Sequence, residues 1–270
     1  MRIRALVIAS SGALALSALA VPAAQAAPTA APNVTFSAVK VNAGKAVVVG
    51  PSAKVTVTAT YTVTKPAGLA VGSFDNGPVL YRGTTLNANA QIIAGDEPGT
   101  CKTVSTTVLS CTAKIQFRPT ASSAYDDLAN GQAGTWKVGA LAVPHDATGE
   151  ADLKWQGNLG AVNVQRQAQL TADATPEPVK KGKTLTVTGK LTRANWDTNK
   201  LGGYAAQPVK LQFKKKGSTT YSTVKTVKTS STGALKTTVK AAADGSYRWS
   251  FAGTTTTPAV SAAGDFVDVK

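Results

Sequence analysis

Lys183-Thr184-Leu185-Thr186-Val187-Thr188-Gly189-Lys190-Leu191-Thr192 decides how this chain is read. Leu185, Val187, Gly189 and Leu191 alternate with Thr186, Thr188 and Lys190. That is the two-residue period of a strand with one face buried and the other wet. The same order of apolar and threonine positions occurs earlier, in Val55-Thr56-Val57-Thr58-Ala59-Thr60-Tyr61.

Two more segments repeat in the same order. Gly134-Thr135-Trp136-Lys137 matches Gly245-Ser246-Tyr247-Arg248 by residue class, and Val162-x-Val164 matches Val267-x-Val269. Val55 and Gly134 are 79 residues apart, Leu185 and Gly245 only 60, and the extra 19 fall around Cys101 and Cys111. The chain therefore reads as one β unit present twice, the first copy enlarged.

Outward from these landmarks the pattern stays β. Asn33 to Val41, Val47 to Val49, Ile115 to Phe117, Pro208 to Phe213, Tyr221 to Thr229, Ala234 to Lys240 and Ser246 to Phe251 all read as strands. Asp75-Asn76-Gly77-Pro78 has turn chemistry, since Asn-Gly supplies positive φ cheaply. Ala121 to Asn130 is expected as a loop or single helical turn, Asp173 to Pro178 as a linker or domain entry, and Arg193 to Gln207 as a polar connection. Short strands at roughly ten-residue spacing, without helical periodicity, predict an all-β sandwich architecture.

The ends and the charge narrow the class. Arg2 and Arg4 precede an uncharged run from Ala5 to Val21 and then Ala24-Gln25-Ala26, the order of a secretory signal with cleavage after Ala26. No second apolar run follows, so no membrane span is expected and the mature chain is expected to be secreted and extracellular. Lys and Arg number 29 against 14 Asp and Glu, a net charge of +15. From Thr171 to Lys270 the count is 16 against 6, so the excess is concentrated in the second half. Such a surface favours polyanions by steering and counterion release; it equally suits a solvated β surface whose edge lysines oppose aggregation. Lysines without interleaved aromatics predict no sequence-specific nucleic-acid partner.

Cys101 and Cys111 are the only cysteines, and an even count in an exported chain predicts a disulfide, here closing a β-hairpin. A ring this short contributes on the order of 3 kcal/mol by the chain-entropy argument. Two thiols and one histidine make a poor metal site, and the spacing is not the Cys-x-x-Cys of a redox pair.

Catalytic constellations are scarce. His145 is the one histidine, beside Asp146 in a Pro-led turn, and no Gly-x-Ser-x-Gly elbow accompanies it. Asp96-Glu97 and Asp126-Asp127 read as surface-loop acids rather than a glycosidase pair. Calcium has two candidates, Asp146-x-x-x-Glu150-x-Asp152 and Asp126-Asp127, neither of which matches an EF-hand loop. Lys210 and Lys214 lie opposite Val209, Leu211 and Phe213 on one strand, and Lys236 and Lys240 lie opposite Leu235 and Val239 on another. These four are the candidate polyanion contact.

A family resemblance rests on Pro178-Val179-Lys180-Lys181-Gly182-Lys183, Thr188-Gly189, Gln207-Pro208-Val209-x-Leu211, Gly245-x-Tyr247-Arg248 and Phe251-Ala252-Gly253. Together these resemble the bacterial immunoglobulin-like sandwich domains appended to exported proteins. The likeness covers about residues 171–270, and in the first half it rests on Gly134-Thr135-Trp136 and the Val-x-Val pair. It implies a spacer, adhesion or partner-binding module with no shared catalytic residues; some related exported chains are described as calcium-binding.

The expectation is thus an all-β chain of two tandem Ig-like β-sandwich domains after a cleaved signal peptide. The peptide is 1–26, the enlarged disulfide-bearing sandwich 27–169 and the basic sandwich 170–270. The expected role is a non-enzymatic binding or structural module, without cofactor, meeting an anionic envelope polymer or another secreted protein. The alternatives are a calcium-binding exported protein, and a secreted hydrolase or protease inhibitor using a loop such as Thr84 to Gly99.

Overall fold

The computed structural model describes residues 30–119 and 128–270. The expected signal peptide, Asp126-Asp127 and most of the loop from Ala121 to Asn130 lie outside the described residues. Within them the chain forms strands joined by turns and 3-10 segments, with no α-helix.

The first nine strands are Thr35–Val41 (β1), Val47–Val49 (β2), Val55–Thr64 (β3), Phe74–Arg82 (β4), Gln91–Ile93 (β5), Thr100–Thr103 (β6), Val108–Phe117 (β7), Gly134–Pro144 (β8) and Lys154–Arg166 (β9). They make two sheets, ordered β1-β3-β7-β6 and β2-β9-β8-β4-β5. In immunoglobulin lettering these are A-B-E-D and A′-G-F-C-C′. The chain crosses between the sheets after β1, at Asn42 and Ala43, both at positive φ (51° and 53°). It then pairs in parallel with the last strand, Val47 opposite Val164.

The other ten are Ala168–Leu170 (β10), Asp173–Thr175 (β11), Thr184–Asn195 (β12), Lys200–Gly203 (β13), Pro208–Lys215 (β14), Ser222–Lys228 (β15), Ala234–Lys240 (β16), Gly245–Phe251 (β17), Val260–Ser261 (β18) and Asp265–Val267 (β19). Strand β12 carries β10, β11, β13 and β16; the facing sheet runs β15-β14-β17, with β18 and β19 on its far side. This is A-B-E against C′-C-F-G. The crossing between sheets again produces a parallel contact, Val179 with Val269, made by Val179 N–H to Asp268 O (3.0 Å) and Lys270 N–H to Val179 O (2.9 Å).

The three repeated segments thus fall on equivalent strands: the Thr-rich ones on B (β3 and β12), the Gly-led ones on F (β8 and β17), and the Val-x-Val ones on or beside G. Val57 and Val187 are both buried, on the inward face of those B strands. The all-β, two-sandwich, Ig-like expectation holds, and strand order carries it.

Each sandwich has its own core. In the first, Phe36, Tyr61, Val63, Leu109 and Cys111 pack with Ala140 and Ala142. In the second, Leu185, Val187, Leu191, Val209, Leu211, Tyr247, Trp249 and Phe251 form one cluster. By contacts the chain gathers into two compact units, and the segments Val47–Val55 and Phe117–Thr135 fall with Asn163–Lys270 in the second. Trp196 accounts for part of this: fully buried, it sends its indole N–H to Gly50 O (3.1 Å) and its backbone N–H to Asn130 Oδ1 (2.9 Å). Strand β10 spans the expected boundary at Gln169.

Three local expectations are corrected. Asp75-Asn76-Gly77-Pro78 is not a turn; it lies within β4, in unbroken register with β8 from Phe74–Pro144 to Tyr81–Lys137. Asn76 O accepts from Gly99 N–H (2.7 Å), away from β8, and strand alternation puts the nitrogen of Pro78 on that same edge. The proline therefore removes no bond from the β4–β8 ladder. Of the two readings of Asp173 to Thr175 the linker is corrected: the segment is strand β11, paired with Thr186 to Thr188 where the chain enters the second sandwich, and Ala174 is buried. The connection after Thr192 begins as strand, because β12 runs on to Asn195 and pairs with β13.

Candidate interaction surface

Among the described residues of the first sandwich, no group of three His, Cys, Asp or Glu side chains converges. His145 Nε2 lies 3.3 Å from Asp75 Oδ1, with both side chains substantially exposed, and no hydroxyl of a described residue is hydrogen-bonded to the ring. Thr84 to Gly99 is not a protruding loop, since Leu86, Ile93 and Ala94 are buried and Gln91–Ile93 is strand β5. The loop reading for an inhibitor is corrected accordingly: these apolar residues belong to the core.

Two of the acids proposed for calcium, Asp152 and Glu150, accept hydrogen bonds from backbone N–H groups, and Asp126-Asp127 lie outside the described residues. Asp152 is buried, and its Oδ2 accepts from Thr148 N–H (2.7 Å), Gly149 N–H (3.0 Å) and the Thr148 hydroxyl (3.1 Å). The N–H groups of Thr148 and Gly149 hold its carboxyl below the usual range, against the opposing effect of desolvation. Glu150 Oε1 instead accepts from Ala88 N–H. Among the described residues no group of three His, Cys, Asp or Glu side chains is arranged to hold a metal ion. Cys101 and Cys111 are bonded, directly opposite each other in the β6–β7 hairpin, with Cα atoms 4.1 Å apart.

The four lysines lie on two sheets. Lys236 and Lys240 are on β16, the E strand, exposed on the outer face; Lys240 Nζ donates to Thr184 Oγ1 (3.1 Å) across to β12. Lys210 and Lys214 are on β14, the C strand of the facing sheet, so the structure keeps the two pairs apart. None of the four lysines takes part in the ion pairs His145–Asp75, Lys216–Asp244 and Lys270–Asp268.

Around Lys210 and Lys214 the structure adds residues the sequence did not nominate. Register sets Lys210, Gln212 and Lys214 opposite Ser250, Arg248 and Ser246 of β17, all outward because Val209, Leu211, Tyr247, Trp249 and Phe251 are inward. Arg248 Nε donates to Gln212 Oε1 (2.9 Å), and its guanidinium carbon sits 3.7 Å from the centre of the Tyr221 ring. Lys214 Nζ lies 5.1 Å from the same ring. The Tyr221 hydroxyl reaches Gly264, where a β-carbon would collide with it. On the next strand Phe266 is exposed, opposite Ser246. Strands β14, β15 and β17 contain no Asp or Glu. Tyr221 and Arg248 meet only through register, so neighbouring sequence carries no signal of their pairing.

The second unit also has an open groove, lined by Asn163, Gln165, Gly253, Thr254, Pro258 and Ala259 among others, with no titratable side chain. Among the described residues no helix is long and apolar enough to cross a membrane.

No protein-family profile and no curated protein matches this sequence. Among solved structures, the chain is similar to the D0–D1 domain of intimin at 16% identity, covering 87% of this chain and 97% of that one, with a TM-score of 0.27. It is similar to the Escherichia coli adhesin FdeC at 12% identity, covering 89% of this chain and 67% of that one, with a TM-score of 0.31. A third, the Yersinia pseudotuberculosis adhesin InvE, aligns at 11% identity over 87% of this chain and 58% of that one, with a TM-score of 0.26. The immunoglobulin-like fold of this chain stands on its own strand order and register rather than on these scores.

Proposed function

We propose that this chain is an exported, non-enzymatic binding module of the cell envelope or the medium, made of sandwiches 27–169 and 170–270 behind a cleaved signal at 1–26. Its second sandwich meets an anionic envelope polymer or the acidic surface of another secreted protein. The observation that carries this reading is the outward projection of Lys210, Lys214, Lys236 and Lys240, none ion-paired to a described carboxylate. Uncompensated cations on stiff sheets attract polyanions at little ordering cost. An enzymatic reading has less behind it: among the described residues no nucleophile is bonded to the His145–Asp75 pair, and the calcium candidates Glu150 and Asp152 are engaged with backbone N–H groups.

The test is capture of the mature chain on isolated envelope material across a salt series. Retention at about 20 mM salt and release by about 300 mM is the expected result, because the Debye length shrinks severalfold over that range. Absence of retention at every salt concentration would end the proposal.

A further inference from the structure

We infer that the outer face of the C′-C-F-G sheet in the second sandwich holds a dedicated receptor for the acidic groups of a polysaccharide, centred on Arg248 and Tyr221. The inference rests on the envelope-binding reading above and names its site. Three observations converge there.

First, Arg248 is pre-oriented. Stacking on Tyr221 at 3.7 Å and the Nε bond to Gln212 fix its plane, and its Nη atoms make no hydrogen bond to a described residue. A guanidinium held this way presents a fork matched to a carboxylate, sulfate or phosphate, with less rotamer entropy left to lose on binding. Second, the surroundings share its sign. Lys214 flanks the same ring, Lys210 follows one row away, and β14, β15 and β17 supply no carboxylate. Third, the chain makes room for the stack. The Tyr221 hydroxyl occupies space that any side chain at position 264 would fill.

The occupant follows from the same residues. The Tyr221 ring is already taken by two cations, and the exposed Phe266 ring lies 5.9 Å from Lys216 Nζ, so neither is the bare aromatic platform on which a base of single-stranded nucleic acid would stack. Ser246 and Ser250 stand beside the cations in the outward rows and offer hydroxyls to sugar oxygens. Lys236 and Lys240, on the other sheet, lack any such stack and act as solvated charges.

The experiment measures binding of the full mature chain to polygalacturonate, with neutral dextran and single-stranded oligo-dT as comparison polymers. Arg248→Lys keeps the charge and removes the fork and the stack, and is expected to weaken polygalacturonate binding about fivefold or more. Tyr221→Leu, which frees Arg248 to move, is expected to weaken it similarly. The double variant Lys236→Ala/Lys240→Ala removes two charges from the other sheet and is expected to change affinity less than about twofold. Unchanged thermal melting shows that each variant is folded. Equal losses from both sheets, unchanged binding by Arg248→Lys, or preference for oligo-dT would overturn the receptor. If the wild-type chain ignores polygalacturonate yet is still retained on envelope material, the receptor fails and the broader reading stands. If it is retained on neither, both fail.

Discussion

Trp249→Ala is expected to lower the unfolding free energy by about 3–5 kcal/mol, the range for truncating a fully buried aromatic. Trp249 is completely buried at the middle of the F strand β17, between Leu211 of β14 and Ala262, whose N–H bonds to Trp249 O (2.9 Å). Its indole crosses to the facing sheet, donates to Thr188 O (2.8 Å) and covers Gly189. Truncation removes the indole, opens a void between the sheets and leaves Thr188 O without that donor. Gly189 sits where a β-carbon would fall 2.6 Å from Trp249 Cδ1, so Gly189→Ala alone is expected to cost about 1–3 kcal/mol by overpacking. The two changes should be less than additive, because truncating Trp249 relieves the methyl's contact with Cδ1, while its close contact with Thr171 O remains. Urea unfolding followed by circular dichroism checks all three variants; a Trp249→Ala loss below about 1 kcal/mol would show that the indole does not hold the sheets together.

Removal of the disulfide, as Cys101→Ala/Cys111→Ala, is expected to cost about 3 kcal/mol, the chain-entropy value for a ring of this size. The bond ties β6 to β7, and β6 is an edge strand with β7 as its one neighbour. Cys111 is buried in the first core, while the turn that follows β6 exposes Val104 at 66%. Few side chains of the hairpin thus substitute for the covalent link. Denaturant unfolding with and without reductant gives the same comparison on the unmodified chain. Identical midpoints would mean that the hairpin pairs as well without the bond.

The sequence made some of this fold readable because the readable parts are local. Alternation in Val55 to Tyr61, Leu185 to Leu191 and Ser246 to Phe251 reports which side of a strand is dry, and the structure buries Val57, Tyr61, Val187, Leu191, Trp249 and Phe251 accordingly. The order of the three repeats was enough to imply a doubled sandwich, since equivalent strands recur in equivalent order. What local chemistry misjudged was decided by partners distant in sequence. Asp75 to Pro78 has turn composition but is held extended by β8 along its length, with the Tyr61 hydroxyl donating to Asn76 Oδ1 (2.8 Å). Asp173 to Thr175 reads as a linker or domain entry because of the prolines that follow, and β12 offers a strand partner for each of the three residues. Trp196 lay in a stretch rich in Asn and Gly and gave no period, although it is among the most buried side chains.

The candidate surface was legible to about the same depth. Outward orientation of Lys210, Lys214, Lys236 and Lys240 follows from alternation alone. Their division between two sheets follows from topology, since the C and E strands of an immunoglobulin-like sandwich belong to opposite layers. The pairing of Tyr221 with Arg248 required the register of β14 against β17 and the path of the turn before β15, neither of which is written in neighbouring residues.

The doubled topology is tested most directly where each copy pairs its leading segment in parallel with its last strand. Cross-strand nuclear Overhauser measurements on the labelled chain should find Val47 beside Val164, and Val179 beside Val269, with parallel-strand patterns and a protected Lys270 amide. Finding either pair antiparallel or out of contact would contradict the assignment of two immunoglobulin-like sandwiches.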